Sequence, residues 1–303
     1  MPRVTIAVPA YNAARFIGET LDSIAAQSFA DHEVIVVDDG SADGTAELVE
    51  ARGDVTLLRR ENAGPAAARS DAIDHGSGEL IALVDADDLW EPPKLARQVE
   101  VFDRDPELLL VGTAAETFGG PRPRDEKPAE GRVTDRLIEV DFLTTSSVMF
   151  RRSAFERAGG FDTAPEMISV EDYDLWLRMS LLGRFGFVDE VLVRRRWHDA
   201  NLSADPLELR RRTLRVIEKF ETLPGGAPHH RATARRKGEL SYLIGRALLS
   251  RGERRDGRAA LRRARSLDPS RAGACLTLEA VSLLPRSLLL AVHGIRERRR
   301  AAE

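Results

Sequence analysis

The sequence predicts an α/β protein with a mostly parallel sheet flanked by helices, followed by a C-terminal region made only of helices. Two observations predict this class. Short apolar runs alternate with helical patterns through the first half of the chain, as in strand–helix–strand units. After about residue 205, only helical patterns remain. The 303 residues, of which 43% are hydrophobic, can bury a large core without a disulfide or a structural metal.

Four runs rich in Val, Ile and Leu are predicted to be strands, because continuous apolar runs of this length are typical of strands buried on both faces of a parallel sheet. They cover residues 4–10, 33–39, 55–60 and 80–86. The segments between them have helical periodicity or are rich in alanine, and they cover residues 16–27, 41–52 and 63–76. This alternation predicts right-handed crossovers between parallel strands.

The pattern is looser in the second half of the chain. Residues 119–132 are rich in glycine, proline and charge, which predicts a loop. A strand is expected at 146–151 and a helix at 171–183. Residues 242–269 resemble one helix–turn–helix unit of the tetratricopeptide type, which must pack on another surface because it cannot bury its own apolar face. Three C-terminal helices are predicted, at 231–249, 254–267 and 272–284.

Charge supports a domain boundary near residue 204. Residues 1–193 carry 19 Lys and Arg against 37 Asp and Glu, whereas residues 194–303 carry 26 against 12. The basic region either binds a different partner from the acidic body or is a solvated helical surface rich in arginine. We expect a catalytic domain at 1–204, divided into halves at 1–105 and 106–204, and a helical region at 205–303.

The sequence contains no segment typical of a membrane span. Its most apolar tract, 282–292, has about half of the ~20 residues that a span needs, and it contains Pro285 and Arg286. The N-terminus lacks the features of a secretory signal, and the single cysteine, Cys275, excludes a disulfide framework. These observations predict a cytoplasmic protein. Basic residues around the apolar tract also allow the C-terminal helices to lie on an anionic membrane, and packing of this tail on the rest of the chain is the alternative.

Carboxylates are concentrated where predicted strands give way to loops or helices. Asp38 and Asp39 end the second strand, three acids follow the fourth strand at 85–88, and Glu171 with Asp172 begins a later helix. Ligands bind outside the carboxyl ends of parallel strands. Three carboxylates within four residues repel one another unless a cation neutralises them, and oxygen ligands favour Mg²⁺ or Mn²⁺. We therefore expect a divalent metal that bridges the protein to a diphosphate, while turns and helix caps are the alternative use of such acids.

Several motifs occur in the order and spacing of a known family. They are VTIAVPAYN, ETLDSIAAQSF, EVIVVDDGSADGT, NAGPAAARS, LVDADDLWEP and VEDYDLWLRM. Over residues 4–203 they are similar to the family 2 glycosyltransferases of the GT-A fold. The resemblance implies a metal-dependent, inverting transferase of polysaccharide biosynthesis. Such an enzyme moves a sugar from a nucleoside diphosphate sugar, here with a uridine or thymidine base favoured, to a hydroxyl group of a glycan or lipid-linked glycan.

The resemblance also implies a donor-binding site. Asp39 would accept hydrogen bonds from the base, and Tyr11 would pack on it. Asp85 would bind the ribose hydroxyls, and Arg69 would reach the donor unless it is a surface arginine of its helix. The full donor-binding set implied in this way is Pro9, Ala10, Tyr11, Asp38, Asp39, Arg69, Asp85 and Ala86.

The family comparison further implies catalytic and metal-binding residues. Asp87 would ligate the metal and His198 would touch the metal or the diphosphate, although a lone histidine is also common as a packing residue. In the Glu171–Asp172 pair, the aspartate would be the general base that deprotonates the acceptor hydroxyl, an effect of about 10²–10⁴-fold. A glycoside hydrolase would instead need two carboxylates flanking the bond. Trp176 would stack on the acceptor sugar or lie in the core.

Departures from the family pattern predict how many sugars are added. Processive members carry a Gln-x-x-Arg-Trp motif beside transmembrane helices. Here Arg196 and Trp197 are present, but Val193 occupies the glutamine position, which predicts a single addition. Two alternatives remain: a sugar nucleotidyltransferase, disfavoured because PAYNAARF stands where its glycine-rich loop is expected, and a non-catalytic nucleotide-sugar-binding protein, disfavoured by Asp87 and Asp172. No nucleic acid partner is expected.

Overall fold

A computed structural model describes residues 1–120, 128–198 and 205–283 of the protein. The chain divides into two compact units, Met1–Ala204 and Asp205–Glu303. The first unit is built on an eight-stranded mixed sheet with the strand order β3-β2-β1-β4-β7-β6-β8-β5. The strands are β1 (Val4–Ala10), β2 (His32–Asp38), β3 (Thr56–Arg59), β4 (Leu80–Leu83), β5 (Leu89–Trp90), β6 (Leu108–Phe118), β7 (Met149–Arg151) and β8 (Arg184–Arg196).

Helices flank this sheet, as the alternation of patterns in the sequence predicts. In the first unit they are α1 (Ile17–Ala25), α2 (Thr45–Glu50), α3 (Pro65–His75), α4 (Lys94–Arg104), α5 (Thr134–Glu139), α6 (Arg152–Ala158) and α7 (Glu171–Ser180). Short 3₁₀ turns lie at Thr145–Ser147 and Pro165–Met167. The predicted helices of the first half are confirmed, with ends one to four residues inside their expected bounds.

The four strands predicted in the first half form one parallel part of the sheet. β1 lies between β2 and β4, and β2 also pairs with β3. In this register Ala10 is opposite Asp38, and Asp38 is opposite Arg59. The carboxyl ends of β1, β2 and β4 therefore meet at one edge of the sheet, where ligands bind in folds of this kind.

The other half of the sheet is only partly foreseen in the sequence. The strand expected at 146–151 is shorter in the structure, since a 3₁₀ turn occupies Thr145–Ser147 and only Met149–Arg151 is extended. β7 pairs antiparallel with both β4 and β6, and β6 pairs parallel with β8. No predicted element corresponds to β5, β6, β8, α4, α5 or α6. The loop expected at 119–132 lies partly outside the described residues.

The second unit is helical throughout its described part, as predicted. Its helices are α8 (Pro206–Thr222), α9 (His230–Ser250), α10 (Arg254–Leu267) and α11 (Ala272–Leu283). α9 and α10 form the predicted hairpin, and Gly245 and Gly257 let their backbones approach closely. A Cβ atom on Gly257 would lie 3.1 Å from the carbonyl oxygen of Gly245. Cys275 is a buried free thiol in a small core with Leu261 and Ala264.

None of the helices within 1–120, 128–198 and 205–283 is long and apolar enough to cross a bilayer. The predicted interfacial segment around residues 286–300 lies outside the described part of the chain.

Candidate active site

Two loops at the carboxyl edge of the sheet are joined by hydrogen bonds. The backbone N–H of Asn12 donates to Oγ of Ser41 over 2.9 Å, and the Asn12 side-chain oxygen accepts from the N–H of Ala42 over 3.0 Å. The N–H of Asp39 donates to the carbonyl oxygen of Ala10 over 2.8 Å. Asn12 has a φ of 48°, a conformation that asparagine tolerates better than most residues. These bonds fix the ends of β1 and β2 as one rigid wall.

The predicted donor-binding residues line this wall with very different exposures. Tyr11 is 56% exposed, so its ring is free to pack against a ligand. Pro9 is half-buried, and Ala10 is buried at the end of β1. Ala86 is also buried, and its carbonyl oxygen accepts from Thr20 Oγ1 over 2.9 Å.

The buried aspartates Asp38 and Asp39 have contacts that the sequence did not predict. Asp38 accepts from the N–H of Ser41 over 3.2 Å. The Asp39 carboxylate accepts from the N–H groups of Ala63 and Gly64, over 3.0 and 2.8 Å, immediately before α3. Asp39 thus holds the N-terminus of α3, the helix that carries Arg69, against the end of β2.

The acidic residues after β4 lie in a turn rather than in the strand, because β4 ends at Leu83 and not at residue 86. We call residues 85–88 the DADD turn. Asp88 is its most buried carboxylate, 3% exposed. It accepts from Ser146 Oγ over 2.6 Å and from the N–H of Arg196 over 2.9 Å. Burial, together with the charges of Asp85 and Asp87, raises the pKa of Asp88 to about 8.

Asp87 and His198 lie together, as predicted. Asp87 Oδ2 is 2.8 Å from His198 Nε2, and the imidazole stacks on Phe16 with 4.8 Å between ring centroids. Burial and the neighbouring Asp85 raise the pKa of Asp87, although His198 opposes this effect. The turn therefore concentrates negative charge that the protein only partly compensates.

The chemistry of these groups fits a divalent cation. Their carboxylate oxygens are the ligands that Mg²⁺ and Mn²⁺ prefer. Among the described residues, no group of three His, Cys, Asp or Glu side chains is arranged to enclose an ion.

Arg69 joins the DADD turn to the Glu171–Asp172 pair. Its guanidinium is 5% exposed and donates to Asp85 Oδ1 over 2.7 Å and to Glu171 Oε1 over 2.5 Å. Burial works against the charge of Arg69, but Asp85, Glu171 and Asp172 outweigh it, so the pKa of the guanidinium is raised. Arg69 is therefore neither a surface arginine nor free to turn towards a ligand without breaking an ion pair.

The Glu171–Asp172 pair begins α7, as predicted. Glu171 is 3% exposed, and burial raises the pKa of its carboxyl against the effect of Arg69. Asp172 is less buried, and each of its carboxylate oxygens has a donor: Oδ1 accepts from the N–H of Tyr173 over 2.7 Å, and Oδ2 accepts from Thr145 Oγ1. This half-buried carboxylate beside the Arg69 cluster is suited to general-base chemistry.

The expectation that Trp176 stacks on an acceptor sugar is wrong. Trp176 is 0% exposed, and its ring packs against Phe150 with 5.8 Å between centroids. It lies on the side of α7 that faces the core, where an indole contributes buried apolar surface. No acceptor could reach it without unfolding of this helix.

Sequence reasoning missed Thr145 and Ser146 as parts of the site, and it noted Arg196 without predicting its contacts. Arg196 donates from Nε to the carbonyl oxygen of Asp87 over 2.9 Å and from Nη2 to Glu19 over 2.6 Å. The hydroxyls of Thr145 and Ser146 contact carboxylates 27 and 58 residues away in sequence. The one sequence signal for Thr145 and Ser146 is the Thr-Ser-Ser run in front of an apolar strand.

Proteins similar in sequence to this chain include named glycosyltransferases and a chondroitin synthase. The chain is 26% identical over 236 residues to an uncharacterized glycosyltransferase of Rickettsia typhi, covering 74% of this chain and 71% of that one. It is 28% identical to a chondroitin synthase of Pasteurella multocida, covering 72% of this chain but only 23% of the synthase.

Two solved structures resemble the fold. S. aureus TarS 1-349 in complex with UDP-GlcNAc has a TM-score of 0.71 at 21% identity, over 90% of this chain and 83% of that one. The mannosyltransferase PcManGT from Pyrobaculum calidifontis, in complex with GDP-Man and Mn²⁺, has a TM-score of 0.64 at 25% identity, over 97% and 80%. The profile described as glycosyl transferase family 2 matches residues 5–159, just over half of the sequence. The chain therefore belongs to glycosyl transferase family 2.

Proposed function

We propose that this glycosyltransferase moves one sugar per encounter from a nucleoside diphosphate sugar to a hydroxyl group of a glycan or lipid-linked glycan, with inversion at the anomeric carbon. The observation that carries the proposal is the Arg69 bridge between Asp85 and Glu171, over 2.7 and 2.5 Å. It supports a single site in which the DADD turn lies beside the first residues of α7. The complexes of TarS with UDP-GlcNAc and of PcManGT with GDP-Man support the donor class.

The donor would bind along the wall formed by the ends of β1 and β2. Tyr11 would pack on the base, because its ring is exposed there. Asp38 and Asp39 would help to recognise the base by fixing the loops beside it, after β2 and before α3. Asp85, whose side chain is 37% exposed, would bind the ribose hydroxyls. Both oxygens of the Asp39 carboxylate already accept the N–H groups of Ala63 and Gly64, so Asp39 would act on the base by holding the loop before α3 rather than as an unpaired acceptor.

Asp172 would act as the general base that removes the proton from the acceptor hydroxyl as it attacks the anomeric carbon. Its partial exposure supports this role, and its two hydrogen-bond donors orient the carboxylate. Asp172→Asn keeps the shape of the side chain and removes its basicity. We expect this variant to lower kcat by about 10²–10⁴-fold while leaving the donor KM unchanged. A variant with the wild-type kcat would refute the assignment.

Asp87 and His198 would hold a divalent cation, Mg²⁺ or Mn²⁺. The crowding of carboxylates in the DADD turn and the raised pKa of Asp87 support this assignment. When bound, such a cation stabilises the negative charge that develops on a departing diphosphate. We expect EDTA to abolish turnover and Mn²⁺ to restore it, and we expect Asp87→Asn to weaken the binding of Mn²⁺ measured by calorimetry. Full turnover in EDTA would exclude a metal requirement.

Inversion and single addition each have a direct test. If Asp172 acts only as a base and no carboxylate of the site attacks the sugar, a single displacement inverts the anomeric configuration, which proton NMR of the product reads directly. Single addition is supported by Val193, which occupies the position of the glutamine in processive relatives. With excess donor, mass spectrometry should show a product longer by one sugar, whereas a ladder of products would indicate processive synthesis.

The experiment that tests the proposed function is release of the nucleotide from a panel of UDP-, dTDP- and GDP-sugars, with and without Mn²⁺. We expect metal-dependent release from a UDP- or dTDP-sugar. Donor binding without any transfer to a wide set of acceptors would instead favour a non-catalytic nucleotide-sugar-binding protein. Formation of a nucleotide sugar from a sugar phosphate would favour a nucleotidyltransferase.

The basic C-terminal region is proposed to contact anionic membrane, where lipid-linked acceptors lie. Residues 205–303 carry 23 Lys and Arg against 11 Asp and Glu, which favours attraction to acidic headgroups. Flotation with phosphatidylglycerol vesicles should recover the protein at low salt, and flotation with phosphatidylcholine vesicles should not. Equal recovery with both, or with neither, would remove this part of the proposal.

A further inference from the structure

The 3₁₀ turn Thr145–Ser147 is a buried polar element that lies between the two acidic parts of the site. Thr145 is 8% exposed, and Ser146 and Ser147 are 0% exposed. Burying hydroxyl groups is unfavourable unless they are hydrogen-bonded, so the partners of these residues define what the turn does.

On one side, the turn contacts Asp172. The Thr145 hydroxyl donates to Oδ2 of Asp172, and the backbone N–H of Tyr173 donates to Oδ1 over 2.7 Å. One donor on each oxygen fixes the plane of the carboxylate, which otherwise rotates broadly about its terminal torsion. The Tyr173 bond comes from the residue next in sequence, whereas the Thr145 bond ties the carboxylate to a different element.

On the other side, the turn contacts the DADD turn. Ser146 Oγ donates to Asp88 Oδ2 over 2.6 Å and accepts from the backbone N–H of Asp85 over 3.0 Å. The hydroxyl thus uses both its donor and an acceptor lone pair on residues 85–88. Neighbouring residues of one turn therefore hold the DADD turn and Asp172.

The turn is itself anchored in the core. The Trp90 indole N–H donates to the carbonyl oxygen of Ser146 over 2.8 Å, and Gln98 Nε2 donates to the carbonyl oxygen of Ser147 over 2.9 Å. Both side chains are buried, at 3% and 0% exposure. Because packed interiors have little free volume, a turn anchored in this way keeps the residues that it contacts at fixed positions.

We propose that Thr145 is a positioning residue that orients the Asp172 carboxylate and, through Ser146, fixes it relative to the DADD turn. The inference rests on the proposed role of Asp172 as the base. A general base must lie within about 2.6–3.2 Å of the proton it removes. A displacement of about 1 Å can lower the rate about 10²-fold, so loss of the Thr145 bond acts on the chemical step rather than on donor binding.

Paired substitutions test this proposal. Thr145→Val preserves the shape of the side chain and removes the hydroxyl, and Thr145→Ser keeps the hydroxyl and removes the methyl group. We expect Thr145→Val to lower kcat by about 10-fold or more with the donor KM within about twofold of wild type, and Thr145→Ser to recover most of the loss. Thr113→Val is the matched control, since Thr113 is also buried and its hydroxyl donates to the carbonyl oxygen of Ala114 rather than to a carboxylate of the site.

Combination with Asp172→Asn separates the failure of this inference from the failure of the proposed function. If Thr145 acts through Asp172, Thr145→Val should cause no further loss of kcat in the Asp172→Asn background. Wild-type turnover by Asp172→Asn would overturn the base assignment. An inactive Asp172→Asn combined with a fully active Thr145→Val would overturn the positioning role alone.

Two further outcomes would also contradict the positioning role. One is an equal loss in Thr145→Ser and Thr145→Val, since the hydroxyl would then not be responsible. The other is a change in donor KM that accounts for the whole effect. Should Thr145→Val fail to fold, Thr145→Ala replaces it in the same cycle, because it also removes the hydroxyl and places no methyl group beside the Asp172 carboxylate.

Discussion

At the scale of single residues, the site depends on charges that would not be stable alone. Arg69 is buried between two carboxylates, and Glu171 is buried with it. Removing one partner of a buried ion pair leaves the other charge unpaired in a poorly polarisable environment, which is more destabilising than losing the pair as a whole. The cluster therefore links the stability of the fold to the arrangement of the site.

Arg69→Met is expected to lower the free energy of unfolding by about 3–5 kcal/mol, because it leaves Glu171 buried without its cation. Urea unfolding followed by circular dichroism measures this change. Arg104→Met is the matched control: the Arg104 side chain is 72% exposed and pairs only with Glu100, so its removal should cost less than about 1 kcal/mol. Equal effects of the two substitutions would show that the Arg69 bridge does not stabilise the fold.

The residues that stand out in the sequence by their charge lie close together in the structure. The acidic residues at 38–39, 85–88 and 171–172 stand out because neighbouring carboxylates repel one another and are unfavourable without a compensating interaction. The structure places them at one edge of the sheet and around Arg69. Thr145 and Ser146 could not be found in this way. Their hydroxyls carry no charge, and their partners are set by how distant segments pack.

At the scale of elements, the same contrast holds for strands. β1 and β4 were predictable because they are buried on both faces and so consist of uninterrupted apolar residues. β8 was not, since it runs over 13 residues as RFGFVDEVLVRRR and keeps its charged residues partly exposed. β5 has only two residues, and its pairing with β8 depends on tertiary contacts that local sequence does not encode.

Helix α4 carries a lysine in the core. Lys94 is 0% exposed, its Nζ donates to Gln98 Oε1 over 2.8 Å, and it lies 3.9 Å from the centroid of the Trp90 ring. Burial lowers the pKa of the Lys94 amine well below its ordinary value of 10.5. Between the lowered pKa of Lys94 in the folded chain and its ordinary pKa of 10.5 in the unfolded chain, the unfolded chain therefore binds a proton that the folded chain does not bind.

Stability should rise with pH through this range, by up to about 1.4 kcal/mol per pH unit, because fewer unfolded chains are protonated as the pH approaches 10.5. Lys94→Met removes this dependence. We expect the stability of the variant relative to wild type to be highest near pH 7 and to fall as the pH rises towards 10. Urea unfolding at pH 7, 8.5 and 10 measures it, and a constant difference would contradict the burial of the amine.

The α9–α10 hairpin depends on glycine at its point of closest approach. A Cβ atom on Gly257 would lie 2.8 Å from the Leu249 side chain and 3.1 Å from the Gly245 carbonyl oxygen, so Gly257→Ala should destabilise the helical unit by about 1–3 kcal/mol. Gly273 in α11 has no atom within 4 Å of that position. Gly273→Ala should stabilise by up to about 1 kcal/mol, and the opposite order in thermal unfolding would disprove the close packing.

At the scale of the whole molecule, charge is divided between the two compact units. Residues 1–204 carry 22 Lys and Arg against 38 Asp and Glu, and residues 205–303 carry 23 against 11. A nucleoside diphosphate sugar is an anion, so the acidic unit opposes its approach unless cations offset the field of the carboxylates. The proposed cation at the DADD turn would reduce this repulsion where the diphosphate binds.

A crystal structure of the protein with UDP and Mn²⁺ tests most directly whether the DADD turn and Asp172 serve one reaction. We predict a manganese ion, located by its anomalous signal, bound to Asp87 and to the diphosphate, with the uracil beside Tyr11 and the Asp172 carboxylate facing the same cavity. Manganese and nucleotide bound away from residues 85–88, with Asp172 directed elsewhere, would contradict the proposed site.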